Sequence, residues 1–248
     1  MDDSDWNFWE SIYKKNEELS MKGRFSFKSH AKEDELWNRG DEILDVLRVA
    51  KDDRILDAGC GSYGKIIVPA AKRGIKITGL DISPTAIKLL RTRLKKMQIG
   101  KRCKLVVGDI NSLPFKDSSF DKVVCIATFL HLSSLGNSIN ELSRVTKKGG
   151  FLYLATFKNN KAAINLFYQT IMKLGFKTMR VYFYSFENIV KNFELNDLKV
   201  IKVWSTVGFL PFYMNLGYSK IFRNKFSYKK IEGFDPSAHT WSFLLKKL

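Results

Sequence analysis

Residues 55–64 read "ILDAGCGSYG". Two apolar residues, Ile55 and Leu56, run into a carboxylate, Asp57, and then into a turn carrying Gly59, Gly61 and Gly64. The following residues, "GKIIVPAAKRG" (64–74), predict a short helix in which Pro69 is tolerable only near the start or at a kink. Strand, glycine turn and helix in this order form the unit from which parallel sheets are wound. The three glycines satisfy G-x-G-x-x-G, a pattern whose backbone N–H groups approach a pyrophosphate at a helix N-terminus. In that reading Asp81, about 20 residues further on, takes the hydroxyls of a ribose. Asp57 argues for a ligand of the opposite sign. A carboxylate beside the loop repels a diphosphate and attracts an ammonium or sulfonium group, although an Asp there also has a structural role open to it, capping loop amides.

Outward from this stretch the chain alternates. "KITGLDIS" (76–83) is a strand, and "SPTAIKLLRTRLKKMQIG" (83–100) a helix with Ser83 as N-cap and Pro84 at its first position. "CKLVVGDI" (103–110) and "FDKVVCIATF" (120–129) are strands, "LGNSINELSRVTKKGG" (135–150) a helix closed by two glycines, and "FLYLATF" (151–157) a fifth strand. A sixth, "LKVIKVWS" (198–205), pairs as a hairpin with an antiparallel last strand in "HTWSFLLKKL" (239–248). The expected fold is α/β: a Rossmann-like, seven-stranded, mostly parallel sheet with helices on both faces, ligands sitting at the carboxyl ends of the strands. Residues 1–50 read as an amphipathic helical lid, 51–157 as the ligand-binding core, and 158–248 as the completion of the sheet with an aromatic and basic insert at about 205–240, all in a single domain.

Asp57, Asp81 and Asp109 each end one of the first three strands. A lone Asp after a strand is ordinarily a turn or cap residue; three on adjacent strands are explained better by a ligand. Asp57 faces an α-amino group, Asp81 accepts two ribose hydroxyls, and Asp109 accepts from an exocyclic adenine amine. S-adenosylmethionine carries all three groups and a sulfonium charge.

"ILDAGCGSYG", "ITGLDIS", "LVVGDINSLPFKDSSFDKVVC" and "LSRVTKKGGFLYLATF" together resemble the class I S-adenosylmethionine-dependent methyltransferases, in particular the small-molecule branch related to quinone-biosynthesis enzymes. The resemblance covers roughly residues 50–157. It implies that Asp57, Gly59 and Gly61 contact the methionine end, that Asp81 binds the ribose with Ile82 packing on the adenine, that Asp109 and Ile110 hold the adenine edge, and that the region of Ala127 faces the methionine part. It implies S-adenosylhomocysteine as product and no metal. One position departs from the family: Tyr63 stands where glycine is usual, so Gly64, which completes the literal glycine pattern, reads as the least informative of the three.

Of three histidines, His131 in "FLHLSS" lies nearest the expected reaction centre and is the candidate general base; His30 and Tyr13 would reach the pocket only if the N-terminal segment folds over it. Three scattered cysteines, Cys60, Cys103 and Cys125, without a CxxC pair, read as a reduced, cytoplasmic protein without a zinc site. The formal charge of +17 in 248 residues, and the segment interleaving Phe209, Phe212, Tyr213, Tyr218, Phe222, Phe226 and Tyr228 with Lys220, Arg223, Lys225, Lys229 and Lys230, admit RNA or an anionic membrane surface as partners. A second basic run, 91–104, reads as a solvated helix face. Three readings follow: a methyltransferase acting on a small molecule, an RNA (tRNA) methyltransferase, and a non-catalytic S-adenosylmethionine-fold binding protein.

Overall fold

A computed structural model of the chain describes residues 3–21, 40–157, 182, 184–208, 228–235 and 240–248. Helix α1 (Asp3–Met21) precedes α2 (Gly40–Val46), and the alternating body follows: β1 (Ile55–Ala58), α3 (Ile67–Lys72), β2 (Ile77–Asp81), α4 (Pro84–Lys96), β3 (Cys103–Val107), β4 (Phe120–Ile126), α5 (Leu135–Val145) and β5 (Thr146–Phe157). Then come α6 (Phe186–Glu194), β6 (Leu198–Gly208), β7 (Tyr228–Glu232) and β8 (Thr240–Lys247). The strand order is β3-β2-β1-β4-β5-β8-β6-β7. The pairings from β3 to β5 are parallel, and β8 inserts antiparallel between β5 and β6. This is the expected seven-stranded Rossmann-like sheet, lengthened by an eighth strand. β7 pairs antiparallel with the far half of β6, from Trp204↔Glu232 to Gly208↔Tyr228. The short alternation of "YKKIE" lay within the aromatic and basic segment and did not stand out from it.

The two faces of the sheet are written in adjacent residues. Ile55, Val124, Tyr153 and Leu244 pack with Ile43 and Leu44 of α2, Ile67 of α3 and Ile87, Leu90 and Leu94 of α4. Their chain neighbours Leu56, Val123, Leu152 and Leu245 pack on the other side with Ile139 and Leu142 of α5 and Ile189 and Phe193 of α6. Successive side chains on a strand point to opposite faces, so a continuous apolar run is what a sheet covered on both sides requires.

Local signals set the helix ends. Ser83 caps α4, its Oγ accepting from the Ala86 N–H at 3.0 Å, with Pro84 in the first turn. Pro69 sits at the third position of α3, in the first turn, where a proline is tolerated. Helix α5 departs from expectation by stopping at Val145, short of the two glycines. The β-branched Thr146 turns extended, pairs with Phe120 of β4, and its Oγ1 donates to the Leu142 carbonyl at 2.6 Å. Strand pairing here outcompetes another helical turn. No helix among the described residues is long and apolar enough to cross a membrane.

Phe243 is 1% exposed on β8, with its ring 5.1 Å from that of Phe193 and 5.7 Å from that of Phe186. Phe243→Ala should cost about 3–5 kcal/mol in urea unfolding, the measure of how far the inserted last strand anchors α6.

Candidate functional site

The loops leaving β1, β2, β3 and β4 are stitched together by backbone hydrogen bonds. Gly59 and Cys60 donate to the Leu80 carbonyl at 2.7 and 3.0 Å, Gly108 to the Asp81 carbonyl at 3.0 Å, and Ala127 to the Ala155 carbonyl at 2.9 Å. The carboxyl ends of four parallel strands thereby enclose a cavity of about 210 Å³. Asp57, Gly59, Gly61, Asp81 and Ile82 all line it, as do Asp109, Ile110, Ala127 and His131. The cofactor candidates and His131 named from the sequence are thus gathered in one place, as the topology of an open parallel sheet demands.

Their environments differ. Asp57 is 4% exposed on β1, and among the described residues no donor is hydrogen-bonded to its carboxylate. Burial, reinforced by the charge of Asp81, pushes its carboxyl up to about 8. Asp81, the last residue of β2, accepts the Gly61 N–H on Oδ2 at 2.8 Å and the Ser83 N–H on Oδ1 at 3.0 Å. Burial raises it to about 6, against the pull of those N–H groups. Asp109 is half-buried, and its Oδ1 closes a local turn on the Asn111 N–H at 2.8 Å and side-chain amide at 3.1 Å. Ile110 is 5% exposed, and Cys60, also at the wall, is held as the thiol by burial and by Asp57 and Asp81. Ala127 has φ +56°, a strained value for a residue with a Cβ, where the chain leaves β4 into the cavity wall.

Around the loop 109–117, Glu141 and Arg144 of α5 act as a brace. Leu113 N–H donates to Glu141 Oε2 at 2.7 Å, and Arg144 reaches the carbonyls of Phe115 and Leu113 at 2.8 and 3.1 Å while pairing with Glu141 and Asp117. The sequence marks neither residue as anything but helix surface.

One reading of the glycine turn needs correcting, that of Gly64. A Cβ at Gly59 (φ +82°) would lie 2.2 Å from Thr128 Oγ1. Gly64 is no less constrained: φ is +57° and a Cβ would lie 2.5 Å from Leu90 Cδ1 in the core. The last glycine of the pattern therefore seats the turn on α4. Tyr63, half-buried in the cavity wall, has its carbonyl held by Arg93 Nη1 at 2.8 Å. That bond fixes the backbone in the place where a second glycine is usual.

α1 supplies the outer wall. Trp9 and Tyr13 line the cavity, and the Trp9 ring meets that of His131 edge-on, centroids 4.6 Å apart. The Ser62 N–H reaches the Tyr13 hydroxyl, and burial with the nearby Asp81 raises that phenol well above its ordinary value. His131 itself is 8% exposed. His30, His239 and nearly all the aromatic and basic segment named from the sequence lie outside the described residues. Tyr228, Lys229 and Lys230 fall within β7. The basic run 91–104 occupies the far half of α4 and the turn into β3, beginning about 12 Å of helix beyond Ser83.

A sequence profile of the methyltransferase domain family matches residues 56–154. The match marks residues 56–154 as a methyltransferase domain. The chain is 33% identical over 119 residues to the sterol 4-C-methyltransferase of Caenorhabditis elegans, a match covering 48% of this chain and 35% of that protein. The chain is 29% identical over 174 residues to the demethylmenaquinone methyltransferase of Tropheryma whipplei, covering 67% of this chain and 70% of that one. It thus spans about a third of the sterol methyltransferase and more than two thirds of the quinone one. In fold it resembles an S-adenosylmethionine-dependent methyltransferase of Thermotoga maritima described as a possible histamine N-methyltransferase (TM-score 0.64, 19% identity, 98% of this chain and all of that one). It also resembles the geranyl diphosphate C-methyltransferase of Streptomyces coelicolor (TM-score 0.62, 17% identity, 85% and 78%).

Gly64→Ala in the methyltransferase turn should cost roughly 1–3 kcal/mol in urea unfolding, from backbone strain and displacement of Leu90. A change within error would show that the turn tolerates a Cβ.

Proposed function

We propose that the protein is an S-adenosylmethionine-dependent methyltransferase acting on a small, largely apolar molecule. The observation that carries this is the buried Asp57 carboxylate, without a donor among the described residues, at the mouth of a glycine turn that any Cβ would obstruct. Ionising a buried carboxyl with no partner is expensive, and a cationic ligand is the partner that relieves that cost. The family match supports the identity of that cation.

In this reading Asp57 binds the α-amino group, with Gly59 and Gly61 leaving room for the methionine end. Asp81 takes the ribose hydroxyls on lone pairs that its bonds to Gly61 and Ser83 leave unused. Ile82 packs against the adenine, Asp109 accepts from its amine through the Oδ2 that its local turn does not occupy, and Ile110 covers its edge. Ala127 borders the methionine part. When bound, S-adenosylmethionine supplies an electrophilic methyl for in-line displacement, with S-adenosylhomocysteine as product. The chain's own contribution is alignment and exclusion of water by Trp9, Tyr13 and Leu132. For an O, N or C acceptor, His131 is placed in the cavity wall to take the proton.

The apolar and aromatic wall supports a small acceptor, and the sterol and quinone methyltransferases related to the domain support the same class. The RNA reading keeps the support of the net charge of +17. It predicts binding that falls steeply with salt, which a filter-binding titration at two salt concentrations measures.

Isothermal calorimetry with S-adenosylmethionine is the direct test; no binding at millimolar ligand, with folded protein, sinks the proposal. The pH dependence is specific. In the ligand-free protein Asp57 is raised to about 8, so at pH 6 to 7 it is protonated and must lose that proton to face an ammonium. Binding should therefore release protons and tighten as pH rises from 6 to 8; titrations in buffers of different ionisation enthalpy read the release. Both raised carboxyls, Asp57 and Asp81, favour their protonated forms in the fold, so the ligand-free protein loses stability as pH climbs from about 4 to 8. The thermal shift produced by S-adenosylmethionine should accordingly be larger at pH 8 than at pH 6. Asp57→Asn should raise the melting temperature of the ligand-free protein at pH 8 and weaken the ligand on the order of tenfold or more.

A further inference from the structure

Helix α1 carries a carboxylate that the reaction described above does not use. Glu10 is 6% exposed, and a buried carboxylate is tolerated only where donors surround it. Three do. Ser83 Oγ donates to Oε2 at 2.6 Å, the Thr85 N–H reaches the same oxygen at 3.3 Å, and Thr85 Oγ1 donates to Oε1. These groups belong to the first turn of α4, where exposed N–H groups favour a negative charge. The carboxyl is accordingly held below its ordinary value, hydrogen bonds outweighing burial.

Ser83 is shared. While its Oγ donates to Glu10 and caps α4, its N–H donates to Asp81 Oδ1, and Asp81 Oδ2 accepts from Gly61. One line of hydrogen bonds therefore runs from α1 through Ser83 and Asp81 into the glycine turn. A second contact closes the circuit: three residues after Glu10, the Tyr13 hydroxyl meets the Ser62 N–H and comes within 3.1 Å of where a Gly61 Cβ would stand. One residue before Glu10, Trp9 rests on His131. An ion pair also joins α1 to α4, Glu17–Lys88 at 2.7 Å, but the Lys88 side chain is 68% exposed and such a surface pair contributes little. Glu10 is the buried anchor of that seam.

The chemistry of the anchor suits a helix that must lift and return. Trp9 and Tyr13 stand in the cavity wall, so a ligand entering past α1 displaces them. Hydroxyl–carboxylate bonds exchange for water bonds at small net cost, where an apolar seam would not.

We propose that Glu10 is a positioning residue for the cofactor end of the site: it fastens α1 to Ser83, so that Trp9 and Tyr13 are set over the cavity only when Ser83 and Asp81 are in place. This rests on the reading of the cavity as the S-adenosylmethionine seat. Filling the Asp81 end then holds α1 down, and releasing α1 loosens the Asp81 end, since coupling between two contacts is reciprocal.

The test uses the full chain and S-adenosylhomocysteine, read by equilibrium dialysis and by trypsin cleavage after Lys14 and Lys15. Glu10→Ala should weaken binding on the order of tenfold, speed dissociation, and leave the two lysines cleavable even at saturating ligand. Glu10→Gln, which keeps an acceptor oxygen for Ser83, should restore most of the affinity and the ligand-dependent protection. Thr85→Val, removing one donor and sparing Ser83, should fall between and provides the measurement if Glu10→Ala does not fold. Lys88→Ala should bind as the native chain does. Affinity and protection unchanged in Glu10→Ala, or an equal loss in Lys88→Ala, overturns the proposal. Failure of the native chain to bind S-adenosylhomocysteine at millimolar concentration overturns the cofactor reading beneath it, an outcome separable from equal binding by native and variant chains.

Discussion

The carboxylate of Asp81 is the point through which the site is held. It lies at the last position of β2, in register with Val107 of β3, and its two oxygens tie the glycine turn on one side to the first turn of α4 on the other. Without those bonds the Gly61 and Ser83 N–H groups would lose their carboxylate partner near a buried cavity, a cost of the order of 1–3 kcal/mol each. The turn after β1, the cap of α4 and, through Ser83, the seating of α1 all take their geometry from this residue.

Its neighbour Asp57 is the opposite case. Asp81 is raised to about 6 against a set of N–H donors, whereas Asp57 is raised to about 8 with none among the described residues. Two carboxylates buried in one cavity repel each other's ionised forms, and the protein divides them: Asp81 is bound to backbone N–H groups, and Asp57 has no such bond among the described residues. With both carboxyls raised by burial, the ligand-free protein is less stable as pH rises.

The sheet makes the arrangement possible. Adjacent residues feed opposite faces along β1, β4, β5 and β8, so helices cover both sides and the ends of the strands are the places left for polar work. Glu141 and Arg144 brace the loop after β3 from α5, and Arg93 braces the turn after β1 from α4. Charged side chains on helix surfaces thus hold the backbone of the binding loops, a role that helical spacing alone does not disclose.

Much was legible in the chain itself. Apolar runs punctuated by Asp57, Asp81 and Asp109 mark locally where the strands give way to loops, because the apolar run that a doubly covered strand needs breaks off there. Ser83 with Pro84 marks a helix start by chemistry confined to four residues, and the order of strands and helices restricts the winding to a parallel sheet. The sequence by itself therefore determined the α/β class, the cofactor edge and the residues gathered there. What only the tertiary structure decided involves partners far apart along the chain. Glu10 meets Ser83 and Thr85 across more than seventy positions, Gly64 is required because Leu90 fills the space a Cβ would take, α5 gives way to β5 at Thr146 because Phe120 pairs with it, and β7 pairs with the edge of β6 that β8 leaves open. Each depends on where two distant segments come to rest, and no local pattern of residues encodes that.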